Sequence, residues 1–363
     1  MSFTIGEKIR MTVEGASHSE SINVKLENLP AGVAINMEDV LAFLKRRQGG
    51  NAVYTTARKE KDEPIILGGL ADGKLTGQTL SAKFMNENAR SKDYGKMRTI
   101  PRPSHADYVA YVKYGGKLDM AGGGFFSGRM TLPMCFAGAV CMQILKERGI
   151  GIQAHIRSVG GIEDLPFDPV SDKKDVLADH TLPVVSAEAG DRMTKLMEET
   201  SRDLDSVGGC IECKVTGLPA GIGDPIYTSV ESVLSYGMFG IPAIKGIEFG
   251  EGFGVCSDYG SKSNDGFCIE DGKVRTVTNN SGGIQGGITN GMPLIFRVAV
   301  KPTPSIYKPQ RSVDLETMEE CELRIEGRHD SCIVPRVVPC VEAMTALMLT
   351  DMIESDDEQK RKR

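Results

Sequence analysis

Short apolar runs that read as strands recur along the chain, at Leu80–Met85, at residues 210–215 and at Leu294–Val300. Helical spacing of apolar positions instead marks Met37–Arg47 and residues 229–237. The most continuous apolar stretch, residues 132–148 (LPMCFAGAVCMQILKER), predicts a buried helix. Pro133 falls in its first turn, where a missing N–H costs nothing, and Gly149 follows as a stop. The Ala, Gly and Cys content of this helix suits close packing against a neighbour. No run of about 18 apolar residues stands out, so no membrane span is expected.

The pattern repeats itself. Residues 17–32 read SHSESINVKLENLPAG and residues 206–221 read SVGGCIECKVTGLPAG, in gapless register. Each copy runs on into one of the helical stretches. A second echo pairs ILGGLADG at 66–73 with IQGGITNG at 284–291, each followed by a strand-like run. This predicts two related α/β halves packed into one body. Convergent turn sequence is the competing reading, because Pro and Gly punctuate turns in any case. We expect one internally duplicated domain over residues 1–350. Residues 351–363, which end in ESDDEQKRKR, are expected to form a disordered charged tail.

Composition narrows the picture. The chain has 363 residues, ample for a core, and its 42 glycines favour a loop-rich enzyme over a helical bundle. A net charge of −6 argues against nucleic-acid partners, so cations must be gathered locally if the ligand is anionic. The polar N-terminal ten residues lack a signal-peptide core. Nine scattered cysteines fit a reducing cytoplasm with buried thiols. Cys210 and Cys213 form a CxxC, but on a strand, positions three apart point to opposite faces. No zinc spacing is present, and no metal is expected. Residues 68–74 have P-loop spacing, but Leu75 replaces the magnesium-holding Ser or Thr.

Five segments combine Gly, His and Arg beyond what packing needs. The first presents Ser17 and His18 in a small-residue turn. The second ends a helix with Arg46 and Arg47 followed by Gln48, Gly49 and Gly50; it reads as a dipole-complementing terminus or an anion clamp. The third, RSKDY at 90–94 and PRPSHADY at 101–108, sets Arg90, Lys92, Arg102 and His105 in a proline-stiffened loop. In the fourth, GGGFFSGR, bare backbone leads into Phe125, Phe126, Ser127 and Arg129, without dinucleotide-fingerprint spacing. The fifth is the NNSGGIQGG run with Gly286, then KPTPS at 301–305, then Arg328, His329 and Asp330.

In order, these segments resemble chorismate synthase over about residues 3–350, through RSKDY, RPSHADY, DSVGG, NNSGGIQGGITNG, KPTPSI and RHDSCIVPRVVPCVEA. The resemblance implies an α+β fold of α/β-type layers, a β-α-β sandwich of two related halves. It implies a carbon–oxygen lyase that removes phosphate from 5-enolpyruvylshikimate 3-phosphate by anti-1,4-elimination, giving chorismate. Reduced FMN is required without net redox change. NADPH acts as an indirect reductant through a separate flavin reductase, and the assembly is a cytoplasmic homotetramer. By the same resemblance His18, His105 and Asp330 are catalytic. Ser17, Arg47, Arg102, Arg129 and Arg328 hold the substrate. Phe125, Phe126, Ser127, Gly286, Lys301, Pro302, Thr303, Pro304, Ser305 and Arg328 hold the flavin.

The chain departs from the family pattern at Ala16, Ser19, Ser104, Asn51 and Val53, so one substrate-binding cation is missing unless Arg58 or Lys59 replaces it. The alternatives to an active lyase are a flavin-binding paralogue with weakened or altered activity and a non-catalytic anion-binding module.

Overall fold

Alternation along the first strands sets which face is buried: Met11 and Val13, then Ile22, Val24 and Leu26, then Leu80, Ala82 and Phe84. The computed structural model describes residues 1–49, 55, 61–86, 99–117, 121–325, 327 and 329–362. The first half contains β1 (Ser2–Ile5), β2 (Arg10–Gly15), β3 (Ser21–Glu27), α1 (Met37–Arg47), β4 (Ile65–Gly68), the short hairpin β5 (Leu70–Ala71) and β6 (Lys74–Leu75), and β7 (Leu80–Met85). Helices α2 (Asp107–Tyr114) and α3 (Thr131–Glu147) follow. Its sheet is antiparallel, in the order β1-β2-β3-β7-β4.

The second half contains β8 (Gly151–Val159), β9 (Ile162–Glu163), α4 (Ala187–Arg202), β10 (Gly209–Thr216), α5 (Val230–Phe239) and β11 (Ile244–Phe249). After α6 (Gly260–Ser263) come the hairpins β12 (Phe267–Glu270) with β13 (Lys273–Thr276) and β14 (Ile284–Gln285) with β15 (Ile288–Thr289). Strand β16 (Leu294–Val300), the hairpin β17 (Gln310–Asp314) with β18 (Glu319–Leu323), and α7 (Val334–Lys362) complete it. The second sheet has the order β11-β16-β10-β8-β9. The two sequence copies take matching places: β3 and β10 are central strands, α1 and α5 follow them, and β7 and β16 pair alongside.

Helices α3 and α7 lie between the sheets. Phe136 of α3 meets Phe84 of β7 edge-on at 5.8 Å. On the other side, Ala154 of β8 donates its backbone N–H to the Glu342 carboxylate of α7 at 2.9 Å. This is the expected β-α-β sandwich. Helix α3 is apolar nearly all round and correspondingly buried. Residues Gly128–Glu147 are in fact apolar and long enough to cross a membrane, but 78% of that stretch's apolar window is packed inside the protein. Positions 135 and 138 of α3 and 148 at its C-cap meet 340, 343 and 354 of α7, so the two helices run parallel.

The expected tail is not what the structure shows, because α7 continues to Lys362. The Asp351 carboxylate accepts the backbone N–H groups of Glu7, Lys8 and Ile9 at 2.9, 2.7 and 2.7 Å. Lys8 also pairs with Glu358, and Arg148 with Glu354 and Asp357. Composition missed these long-range partners, which give a polar segment a surface to hold.

Candidate active site

A cavity of about 510 Å³ opens where the glycine-rich entry to α3, the start of α2, the end of α5, the segment after β16 and the first turn of α7 converge. Ten of the expected residues line it: Arg47, His105, Phe125, Phe126, Ser127, Lys301, Thr303, Pro304, Ser305 and Asp330. A second cavity of about 600 Å³ is lined by Glu7, Asp224, Asp351 and Asp356, the wrong sign for an anionic ligand. We therefore place the chemistry in the smaller one.

The loop before α2 builds a tightly hydrogen-bonded cluster. Asp107 takes hydrogen bonds from Arg102 Nε at 2.7 Å and Nη2 at 2.8 Å, and lies 2.7 Å from His105 Nδ1. Burial alone would raise the Asp107 carboxyl. The hydrogen bonds and charges of Arg102 and His105 outweigh it and hold the group well below the usual carboxylate range. Arg102 also reaches Ser305 Oγ at 3.3 Å, which ties this loop to the 301–305 segment. Lys301 donates to the Ser104 carbonyl at 2.6 Å, and burial and Lys245 lower its ammonium pKa.

Ser104 has φ 58°, the left-handed region. This accounts for the glycine usual there in the resembling family: a side chain at such a φ costs about 1–2 kcal/mol. Gly123 is likewise left-handed, and a Cβ there would stand 3.7 Å from His105 Nε2. The bare backbone of the glycine run thus lies beside the imidazole.

Arg46 and Arg47 do not act as a pair. Arg46 donates to both oxygens of Glu342, at 2.5 and 3.1 Å. Arg47 is buried and donates to Asp62 at 2.5 Å. The other Asp62 oxygen accepts Arg129 Nη1 at 2.8 Å, so one carboxylate sits between two guanidiniums. Arg129 Nε bonds Asn86 Oδ1 at 2.6 Å, and the Asn86 amide donates to the carbonyls of Ala16 and Ser19. Ser17 N–H reaches the Gly124 carbonyl at 3.4 Å, and Ser17 Oγ lies 3.1 Å from His18 Nδ1. His18, Ser17 and Arg129 are therefore wired to the glycine run without lining the cavity. Ser19 substitutes locally for the altered turn, its hydroxyl bonding the Ala16 N–H and the carbonyls of Ala16 and Ser21.

Asp330 is held by Arg336 at 2.6 Å, and Arg336 Nε also donates to the Arg47 carbonyl at 3.0 Å. The DSVGG signature braces this region: Ser206 Oγ donates to the Thr303 carbonyl, and Val207 N–H to the Ser331 carbonyl. Pro302 packs toward Gly208 instead of the cavity. Gly286 also stays apart, in the β14–β15 turn, where the adjoining Gly287 lies against Ser229. Arg328, Arg90, Lys92, Asn51, Val53, Arg58 and Lys59 lie outside the described residues. Asp62, Asn86, Asp107, Arg336 and the lining residues Pro242 and Ala243 escaped the sequence reading. The signal for Asp107 was present inside RPSHADY, and for Arg336 inside IVPRVVP; Asp62 and Asn86 are unremarkable polar residues until folded.

Cations from several elements, an imidazole–carboxylate pair and two aromatic rings gather around one cavity, the make-up of an enzyme's active site. A family model for chorismate synthase matches residues 9–353. The chain is 44% identical over 346 residues to the chorismate synthase of Thermococcus gammatolerans, covering 95% of this chain and 96% of that one. It is 40% identical over 369 residues to that of Lancefieldella parvula, covering 98% and 97%. A crystal structure of chorismate synthase superimposes with a TM-score of 0.77 at 26% identity, over 97% of this chain and 93% of the other. The chain belongs to the chorismate synthase family, carbon–oxygen lyases of aromatic biosynthesis.

Proposed function

We propose that this cavity converts 5-enolpyruvylshikimate 3-phosphate to chorismate by anti-1,4-elimination of phosphate, with reduced FMN bound beside the substrate. The observation that carries the reading is convergence: Arg47, His105, Phe126, Lys301 and Asp330 come from separate segments onto one cavity. The cofactor fits what is there. Arg47 Nε and Thr303 Oγ1 are buried polar atoms with no hydrogen-bond partner among the described residues, and both residues line the cavity. Unpaired buried donors call for a ligand that satisfies them.

In this reading Phe125, Phe126, Ser127 and the 301–305 segment hold the flavin. Reduced FMN, when bound, supplies electron density to the ring from which phosphate leaves. Arg47 grips the substrate's anionic groups from the cavity wall, Arg102 and Arg129 add positive charge from behind it, and together they meet the charge that develops on the departing phosphate. Asp107 fixes the ring of His105 through Nδ1, which leaves Nε2 to exchange a proton on the cavity side. Asp330, oriented by Arg336, assists removal of the ring proton. His18 completes the set from across the glycine run. Gly286 and Pro302 have no place in this single-chain site. The same reading makes the protein a cytoplasmic homotetramer of an internally duplicated unit. A separate reductase drawing on NADPH would supply its reduced flavin.

The test is an anaerobic assay of purified protein with reduced FMN and the enolpyruvyl substrate, following chorismate absorbance. We expect turnover. Flavin binding without turnover would move the protein to the altered-paralogue reading.

A further inference from the structure

Where α3 and α7 meet, two thiols face each other. Cys135 Sγ and Cys340 Sγ are 3.7 Å apart and both residues are buried. One turn further along each helix, a Cβ added at Gly138 would fall 2.2 Å from the Ala343 Cα. The two backbones are therefore in contact here, with nothing between the sulfurs. A disulfide needs Cα atoms about 4.4–6.8 Å apart and an S–S bond of about 2.05 Å. With the helix backbones touching one turn away and the sulfurs already 3.7 Å apart, side-chain rotation is the movement left to close the gap.

The two sulfurs sit in unlike settings. Cys340 lines the cavity together with Arg47 and Arg336; Cys135 lies behind it. The Cys135 S–H donates to Cys340 and, with the guanidiniums of Arg47 and Arg336, favours the Cys340 thiolate despite burial. Burial and the facing Cys340 push the Cys135 thiol well above its usual range. Cys141 and Cys332, buried elsewhere, are pushed up to about 12 by desolvation and are inert by comparison.

We propose that Cys135 and Cys340 form a hydroperoxide-sensitive dithiol that closes into a disulfide in the cavity wall and reversibly lowers the enzyme's activity. The Cys340 thiolate attacks one peroxide oxygen, breaking the O–O bond to give a sulfenic acid and hydroxide. Cys135 sulfur then displaces the sulfenic oxygen, forming the S–S bond and releasing water. In sum, two thiols and one hydrogen peroxide give one disulfide and two waters. The bond ties α7 to α3 one turn from Arg336, which carries both Asp330 and the Arg47 carbonyl. The loss of activity rests on the proposed function; the thiol chemistry does not.

The test treats the wild-type protein with hydrogen peroxide, removes the oxidant, caps the remaining thiols and maps the non-reduced digest by mass spectrometry. We expect the thiol count to fall from nine to seven through one linked pair of peptides, Cys135 with Cys340, restored by dithiothreitol. Turnover with photoreduced FMN should drop about tenfold or more and return with the reductant, as a displacement of about 1 Å in a site suffices for such a loss. Cys135→Ala should retain untreated turnover and lose the reversible response. Thiol loss at other cysteines, no thiol loss, or a linked pair with full turnover would overturn the proposal. Absence of turnover in the untreated protein would count against the lyase reading alone, since the peptide map is read independently.

Discussion

His155 and His105 both lie against carboxylates, and the two together show that such pairing does not by itself mark a catalytic site. His155, on β8, is fully buried, with Nδ1 3.1 Å from Asp164 and Nε2 3.1 Å from Glu212, and its ring packs 4.1 Å from Phe167. Those carboxylates also accept the N–H groups of Val185, Ser186 and Phe167, so the cluster clamps the 164–186 segment onto the sheet. His105 has one carboxylate, at Nδ1, and its ring borders an open cavity. Burial would lower the His155 pKa, but the hydrogen bonds and charges of its two carboxylates outweigh it and raise it. Access to a cavity, rather than the company of carboxylates, separates the histidine proposed for catalysis from the structural one.

The comparison is most sharply broken by removing each histidine's function in turn. His105→Ala should lower kcat by about 10²–10⁴-fold, the usual worth of a positioned acid or base, while flavin affinity changes far less. Equal losses in rate and flavin binding would end the proton-transfer role. Glu212→Gln should leave turnover of the folded protein intact but cost about 3–5 kcal/mol in urea unfolding, because it breaks a buried charged pair. A stability change near zero would show that the clamp holds nothing. Arg129→Ala should raise the substrate's apparent KM by about tenfold to a hundredfold; an unchanged KM removes it from the site.

The buried histidine also sets a pH dependence. Its folded pKa lies above the unfolded value of about 6.5, so its contribution is fully present below that pH. The contribution fades as pH rises through the folded value. Melting temperatures of wild type should therefore fall on the alkaline side more than those of Glu212→Gln; parallel profiles would refute the linkage. The smallest effect is expected at Ser104. Replacing this left-handed serine with glycine should raise unfolding free energy by about 1 kcal/mol or less, since relief of strain is offset by a freer unfolded chain.

Much of this was legible in sequence because local chemistry decides it. Helix α1 runs over Met37–Arg47 as its apolar spacing indicates, and α3 begins one residue before the expected start, around its first-turn proline. The 301–305 turn and the glycine run reached the cavity because their motifs carry their own backbone shape. What was illegible depends on distant partners. Asp62 and Asn86 acquire meaning through Arg47 and Arg129. The polar end of α7 is ordered by the N-terminal strand region and by Arg148, neither visible from its composition. His155 looks like any strand residue until β10 and the 164–186 segment close over it.

The most direct measurement of the central claim is a crystal structure of the protein with FMN bound. The isoalloxazine ring is expected between residues 125–127 and 301–305, with His105 at its edge and Thr303 Oγ1 and Arg47 Nε taking up new hydrogen bonds. A flavin seated in the acidic cleft by Asp224 and Tyr227 would contradict it.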